Sequence, residues 1–368
     1  MKILMVSDAY YPFPGGVSEH MYHLSKALRE RGNHVKILTA HYEGEESEKD
    51  VIRVGKINIL PLNFTQITFT WEKGYRKKIR EVFKENYDIV HTHGPFGHNL
   101  PYHALMFSDS KNIATFHTAF VGFNFYKLAR IFYKESFKKL DRVICVSKKA
   151  YREIKRYFPL GNYAIIPNGV DTKRFTPEGK RIKKNNLAVL FVGRFEPRKG
   201  PFIFLKAVRI LREKGYKDFD FWMVGKGPLL EKAKKFSEEN NLNIKFFGFV
   251  PPEELPIIFR SADIYVSPAI GGETFGIVLI EAMASGTSLI CSNIEGYSEV
   301  VKHGINGLLF ENKKEKDLAE KIEILINDKN LREKLKEKGI EFSKNFDWMK
   351  IAEKVEIVYR STLVRRIL

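Results

Sequence analysis

Two carboxylates, Glu273 and Glu281, stand eight residues apart in the stretch Gly271-Gly272-Glu273-Thr274-Phe275-Gly276-Ile277-Val278-Leu279-Ile280-Glu281-Ala282-Met283-Ala284-Ser285-Gly286. The apolar run Ile264-Tyr265-Val266-Ser267-Pro268 precedes them, so the order reads as strand, glycine-rich turn, helix. A glycine turn that opens a helix lets ligand atoms approach free backbone N–H groups, and the helix dipole favours an anion there. A carboxylate in such a mouth would repel that anion. Glu273 and Glu281 therefore need another task, such as accepting hydrogen bonds from hydroxyls. The ligand that suits both demands carries phosphates at one end and sugars on either side of them. The plainer alternative is a surface loop followed by an ordinary amphipathic helix.

Other residues have types and spacing that could do chemistry. Arg194 and Lys199, in Gly193-Arg194-Phe195-Glu196-Pro197-Arg198-Lys199-Gly200, flank a strand end and a helix mouth. A bidentate fork beside a point charge makes a cradle for a diphosphate. His91 and His93 lie on one face of a strand that ends at Gly94-Pro95, which invites a metal reading. No cysteine or acidic ligand nearby completes a set, so no metal site is expected. Asn112–Thr118 is another strand delivering a histidine, His117, at its carboxyl end, where open α/β sheets bind ligands. Asp218-Phe219-Asp220 imitates a D-x-D metal motif but sits at the start of a strand, away from that ligand face.

The elements that must hold these residues follow from periodicity. Residues 2–6 form an apolar strand, and Ser7–Gly16 is a Pro- and Gly-rich turn. Val17, Met21, Leu24 and Leu28 stripe a helix over Val17–Arg31, and the strand His34–Thr39 follows. This is a βαβ opening, although Gly15-Gly16 is not the G-x-G-x-x-G dinucleotide fingerprint. Val51–Leu60 reads as two short strands. Phe64, Phe69 and Trp71 then lead into the basic segment Lys73–Lys84. That segment suits a packed helix with a solvated basic face, or a segment lying at a bilayer interface. Ile165-Ile166-Pro167-Asn168-Gly169-Val170-Asp171 is a strand stopped by Pro and an Asn-Gly turn. The polar stretch 176–186 reads as a linker, Lys313–Lys338 as a charged helix, and Ile351, Val355 and Val358-Tyr359 as the apolar stripe of a last helix.

At 368 residues the chain exceeds one ordinary core, so two α/β domains are expected, over 1–175 and 187–345. A content of 44% hydrophobic and 13% aromatic residues places it among folded globular proteins. Cys145 and Cys291 cannot form a disulfide framework, which fits a reducing cytoplasmic setting. The apolar run at Met1 is too short for a signal peptide, and no apolar stretch approaches the ~20 residues needed to span a bilayer. The net charge of +18 admits nucleic acid, an anionic membrane surface or an acidic substrate as partner. Abundant Lys and Glu with a single glutamine, Gln66, also match heat-adapted usage. The charge is spread along the chain without a basic tail, and no specific nucleic-acid partner is expected.

Glu-x7-Glu, with Phe-Gly after the first glutamate and Ala-x-Ala-x-Gly after the second, resembles the retaining glycosyltransferases of family four. Gly-Arg-x4-Lys-Gly at 193–200 and Ile-Pro-Asn-Gly-Val-Asp at 166–171 are similar to that family's signatures, and the motifs run in the family's order. The resemblance implies the GT-B architecture, two Rossmann-like doubly wound α/β domains facing across a cleft, with the last helix, 346–368, returning to the first. It implies transfer of a sugar from a nucleoside-diphosphate sugar to a hydroxyl acceptor with retention, without a metal or cofactor. Gly15, Gly16, Arg194, Lys199, Gly225, Phe249, Val250, Glu273, Phe275, Gly276, Ile277, Val278 and Glu281 would bind the donor. Glu273, His117, Arg194 and Lys199 would act at the reacting centre, and His91, His93 and Asn168 would lie on the acceptor side. GDP- or UDP-linked mannosyl or glucosyl donors, a lipid or saccharide acceptor, and peripheral association with the inner face of the membrane fit the same family. The rivals are a GT-B epimerase or phosphorylase, and a non-enzymatic binder of nucleotides or nucleic acid.

Overall fold

Apolar runs punctuated by glycine turns become two sheets, one in each of two units of the chain, the first largely and the second wholly parallel. The computed structural model describes residues 1–44, 47–62, 65–95, 99–117 and 125–364; Phe64 and Thr118 lie outside these. One unit comprises Met1–Gly169 with Trp348–Leu368, the other Val170–Asp347.

In the first unit the strands are β1 (Lys2–Val6), β2 (His34–His41), β3 (Val51–Leu62), β4 (Thr65–Trp71), β5 (Ile89–His93), β6 (Lys111–Phe116), β7 (Arg142–Cys145) and β8 (Tyr163–Ile165). They lie in the order β4-β3-β2-β1-β5-β6-β7-β8. All neighbours run parallel except β3 and β4, which pair antiparallel from Lys56↔Trp71 to Leu62↔Thr65. That pairing is why 51–62 is one strand instead of the two short ones expected. The chain steps outward from β1 to β4 and then returns to place β5 beside β1, so the strand order reverses between β1 and β5. Ligands in open α/β sheets bind outside the carboxyl ends at such a reversal.

The helix Gly16–Glu30 buries Met21, Leu24 and Leu28 against Ile3 and Met5. The closing helix, Trp348–Val364, packs Ile351, Val355 and Tyr359 into the same core, and Arg31 Nε donates to Glu356 Oε2 at 2.7 Å. In the helix Tyr75–Val82 the side chains of Tyr75 and Ile79 are buried and the basic ones face solvent, the packed form of the Lys73–Lys84 segment.

In the second unit the strands are β9 (Ala188–Val192), β10 (Asp220–Val224), β11 (Ile244–Gly248), β12 (Ile264–Ser267), β13 (Ser288–Ser292) and β14 (Leu308–Phe310). Their order, β11-β10-β9-β12-β13-β14, is wholly parallel and reverses between β9 and β12. The stretch 176–186, read from sequence as a linker, belongs to this unit: Ile182 N–H donates to Ser261 Oγ at 2.8 Å, and Lys184 pairs with Asp263. Polar composition gave no sign of those contacts. The charged segment read as one helix is two, Glu315–Asn327 and Lys329–Ser343. Asp328 separates them because its carboxylate caps the second, accepting from Leu331 N–H at 2.8 Å.

Candidate active site

In the second unit, β12 delivers the chain to a loop that enters the helix Ile277–Ala284 through Gly276. Gly276 has φ 79°, and a Cβ there would meet the Tyr297 ring at 2.6 Å, so only glycine fits. Tyr297 is held by its hydroxyl, 2.8 Å from Ser267 Oγ at the end of β12. Phe275 is buried beneath the loop, whereas Gly276, Ile277, Val278 and Glu281 are partly exposed. The helix mouth thus presents backbone N–H groups to a ligand.

Beside it the turn after β9 carries the cations. Lys199 Nζ lies 2.6 Å and Arg198 Nη1 2.8 Å from Glu273 Oε1. Arg198 Nε also reaches Glu196 Oε2 at 3.2 Å, and Arg194 Nε reaches Glu196 Oε1 at 2.8 Å. Arg194, Glu196, Arg198, Glu273 and Lys199 therefore form one chain of ion pairs. Three cations against two carboxylates leave this chain a single positive charge. Glu196 is buried and Arg194 half exposed, so the chain runs from the interior outward.

The turns after β9, β10 and β11 are laced together. Gly193 N–H donates to Val224 O, Phe195 N–H to Lys226 O, and Gly225 N–H to Gly248 O at 2.7 Å. Gly225 has φ 133° and sits so close to the Gly193 carbonyl that a Cβ would come within 2.0 Å of its oxygen. Just past β11, Val250 is partly exposed and the Phe249 ring is 57% exposed, with Lys226 Nζ 5.3 Å from its centroid. Such a face can stack on a planar base.

In the first unit the corresponding carboxyl ends deliver imidazoles. Gly15 (φ 153°) caps the helix that begins at Gly16, and one turn on, His20 Nδ1 lies 2.9 Å from Asn168 Oδ1. His93 ends β5, His117 follows β6, and His93 Nδ1 lies 2.9 Å from His117 Nε2. The His20 ring centroid is 5.3 Å from that of His93 and 4.7 Å from that of His117, with Trp348 edge-on at 5.2 Å. Burial pushes His20 down to about 4 and holds His93 and His117 well below the usual histidine range. All three are neutral at pH 7.

Expected on the acceptor side, His91 is instead a core group. It is fully buried, with Nδ1 2.6 Å from Tyr359 Oη and Nε2 2.7 Å from Thr115 Oγ1. Its strand position is as read, but both nitrogens are spent on neighbours.

Residues 14–174 match Glycosyltransferase Family 4, and residues 172–342 match Glycosyl transferases group 1. Over 98% of its length the chain is 30% identical to the phosphatidyl-myo-inositol mannosyltransferase of Mycobacterium leprae, covering 97% of that protein. The chain belongs to glycosyltransferase family 4. An uncharacterised glycosyltransferase of Methanocaldococcus jannaschii is 33% identical, with 98% of each chain covered. The crystal structure of a glycosyltransferase from Rickettsia africae superposes with a TM-score of 0.79 at 22% identity over 98% of each chain, a likeness of fold. That fold is GT-B.

Against this family frame, three members of the two clusters, Glu196, Arg198 and His20, escaped the sequence reading, as did one buried carboxylate outside them, Asp8. Glu196 and Arg198 stand inside the motif that was read, yet only the fold shows them bridging Arg194 to Glu273. His20 falls one turn before Leu24 on the buried helix face, which was the available signal. Asp8, buried after β1, accepts from Thr70 Oγ1 at 2.6 Å and Leu100 N–H at 3.2 Å, and burial pushes its carboxyl up to about 6.

Proposed function

We propose that this family-4 glycosyltransferase is a retaining hexosyltransferase that moves a mannosyl- or glucosyl-type sugar from GDP or UDP to a hydroxyl acceptor. The observation that carries the reading is the ion-pair chain at the helix mouth. Charge develops on the diphosphate as the bond from its oxygen to the anomeric carbon breaks, while the acceptor hydroxyl bonds to that carbon and gives up its proton to the departing diphosphate. Arg194, Lys199 and the N–H groups of Phe275–Val278 meet that charge without reorganising. With two cations and a helix end present, the diphosphate needs no metal for neutralisation. Glu281 takes ribose hydroxyls and Glu273 donor-sugar hydroxyls, with Lys199 and Arg198 holding the Glu273 carboxylate in place. His117, neutral, hydrogen-bonds the sugar. Gly15 and Gly16 let backbone approach the donor, Phe249 and Val250 receive the base, and His93 and Asn168 face the acceptor.

Calorimetric titration with GDP, UDP and ADP, in EDTA and then in magnesium, tests this. The expected result is a clear preference for GDP or UDP in EDTA, unchanged by magnesium. Binding that requires magnesium would overturn the metal-free site, and no binding of any diphosphate would overturn the donor assignment.

A membrane-borne lipid acceptor is favoured by a separate observation in the first unit. Trp71, Ile131 and Phe132 are 66%, 74% and 66% exposed, and Arg76, Lys77, Lys78 and Arg80 on the helix Tyr75–Val82 face solvent. Aromatic and basic side chains of this kind bind anionic interfaces. No helix among the described residues is long and apolar enough to cross a membrane. Co-sedimentation with vesicles is expected to need anionic lipid and to fall in a Trp71→Ala, Phe132→Ala variant. Equal binding to neutral vesicles would reject the basic contribution.

A further inference from the structure

Three histidines far apart in sequence converge in the first unit. His20 comes from the helix after β1, His93 from the end of β5 and His117 from just past β6. Each offers one ring nitrogen, and the three nitrogens lie within 4.8 Å of one another. The rings of His93 and His117 stack at 18° with centroids 5.3 Å apart, and His20 stands edge-on to both. Hydrogen bonds to sugar hydroxyls call for one such ring. Three whose nitrogens lie within 4.8 Å of one another are close enough to share a different occupant.

Each ring is in the form a metal takes. Burial keeps all three neutral, so each carries one proton and one lone pair. Asn168 Oδ1, 2.9 Å from His20 Nδ1, accepts the proton there and leaves the Nε2 lone pair available. That is the outer hydrogen bond that fixes the tautomer of a metal-ligating histidine. Trp348 and Asn168 hold the His20 ring in place from the side and from behind. In this arrangement His93 ligates through Nδ1, and its Nε2, buried without a hydrogen-bond partner among the described residues, carries that ring's proton. For all lone pairs to face one ion, the hydrogen shared by His93 Nδ1 and His117 Nε2 moves to the other nitrogen of its own ring. No proton is gained or lost.

We propose that His20, His93 and His117 form a three-histidine site for a divalent transition-metal ion of the zinc class. Three imidazoles with an open fourth position suit zinc, cobalt and nickel. The group contains no carboxylate, which hard ions such as magnesium or calcium require. His91, 4.5 Å away between ring centroids, is not a ligand because Tyr359 and Thr115 hold both of its nitrogens. The ion does not serve the diphosphate. It occupies His117, so a filled site withdraws that ring from the donor sugar and inhibits transfer. This consequence rests on the role given to His117 above; the binding itself does not.

The test is titration of EDTA-treated, desalted full-length protein with cobalt(II), followed in the visible region. One equivalent is expected to give the intense bands of four-coordinate cobalt, and one equivalent of zinc to erase them. His20→Ala and His93→Ala should each abolish the bands, and the shape-retaining His93→Gln should do the same with an unchanged circular dichroism spectrum. Asn168→Ala should weaken binding ~10–100-fold, whereas exposed His34→Ala should leave the bands intact. Absence of stoichiometric binding in the wild type, or bands that survive in both His20→Ala and His93→Ala, would overturn the site. Diphosphate binding measured on the same samples is expected to persist either way; its loss from the wild type would count against the donor reading, not the metal. Full transfer activity with zinc bound would overturn the claim that the ion takes His117.

Discussion

Where the strand order reverses between β1 and β5, the first sheet delivers imidazoles, buried and uncharged; where it reverses between β9 and β12, the second delivers guanidinium, ammonium and carboxylate groups in one ion-pair chain. The topology is shared and the chemistry is opposite. Of ten histidines only His303 falls in the second unit. On the proposed function, the difference matches what each end of a nucleotide sugar would demand. A departing diphosphate would need fixed charge, and Glu196 and Glu273 hold the cations of the second unit in order. A sugar would need donors and acceptors without charge, and burial holds the histidines of the first unit neutral.

The largest effect that could break this comparison is in catalysis. Arg194→Ala is expected to lower kcat ~10²–10³-fold, the loss seen when a preorganised charge-stabilising donor is removed. Its melting temperature should barely move, since the side chain is half exposed. Activity within tenfold of wild type would show that the ion-pair chain does not carry the departing charge.

Acid should separate the two units by stability. His20 and His91, lowered to about 4 and about 3 in the folded chain, stay neutral where the unfolded chain binds protons. Their contribution is complete above about pH 6.5 and is lost as pH falls through that value towards 4 and below. His20 alone is worth roughly 3 kcal/mol over that window. Asp8 has the opposite sign: raised to about 6, it stabilises at low pH and loses that contribution between about 4 and 6. Four histidines held neutral in the folded chain outweigh one aspartate. Fluorescence of Trp348, which stacks on His23 and meets His20 edge-on, should therefore change at higher pH than that of buried Trp222 in the second unit. Single-tryptophan variants read the two transitions, and coincident midpoints would refute the contrast.

Much of this was legible in the sequence where the signal is local. Apolar runs closed by glycine became strands at nearly the residues expected, and Gly276 sits at the helix mouth because its turn and its helix are adjacent in sequence. Arg194, Lys199 and Glu273 were each singled out, but not the pairs they make, since Arg198 and Glu273 are 75 residues apart and meet only because β9 and β12 are neighbours. In sequence order no further ligand stands near His91 and His93, so spacing alone offers them no metal site. Strand order supplied the others, His20 through β1 and His117 through β6, while His91 turned out to be spoken for by Tyr359 and Thr115. A search along the chain cannot find a set that a parallel sheet assembles across it.

The path of the chain at its two crossings has a further consequence. In the first unit Gly169 lies so near Trp348 that a Cβ would come within 2.4 Å of the indole, and in the second Val170 and Asp347 form a bridge, with Val170 N–H donating to Phe346 O at 2.8 Å. Each unit therefore has its cut ends side by side. Residues 170–347 are a cassette with a sealed neck, and the remainder closes over a gap that a very short splice would mend. Exchange of one cassette for another would leave the first sheet and its closing helix uncut, a modular route by which one half of the chain can vary without redrawing the other.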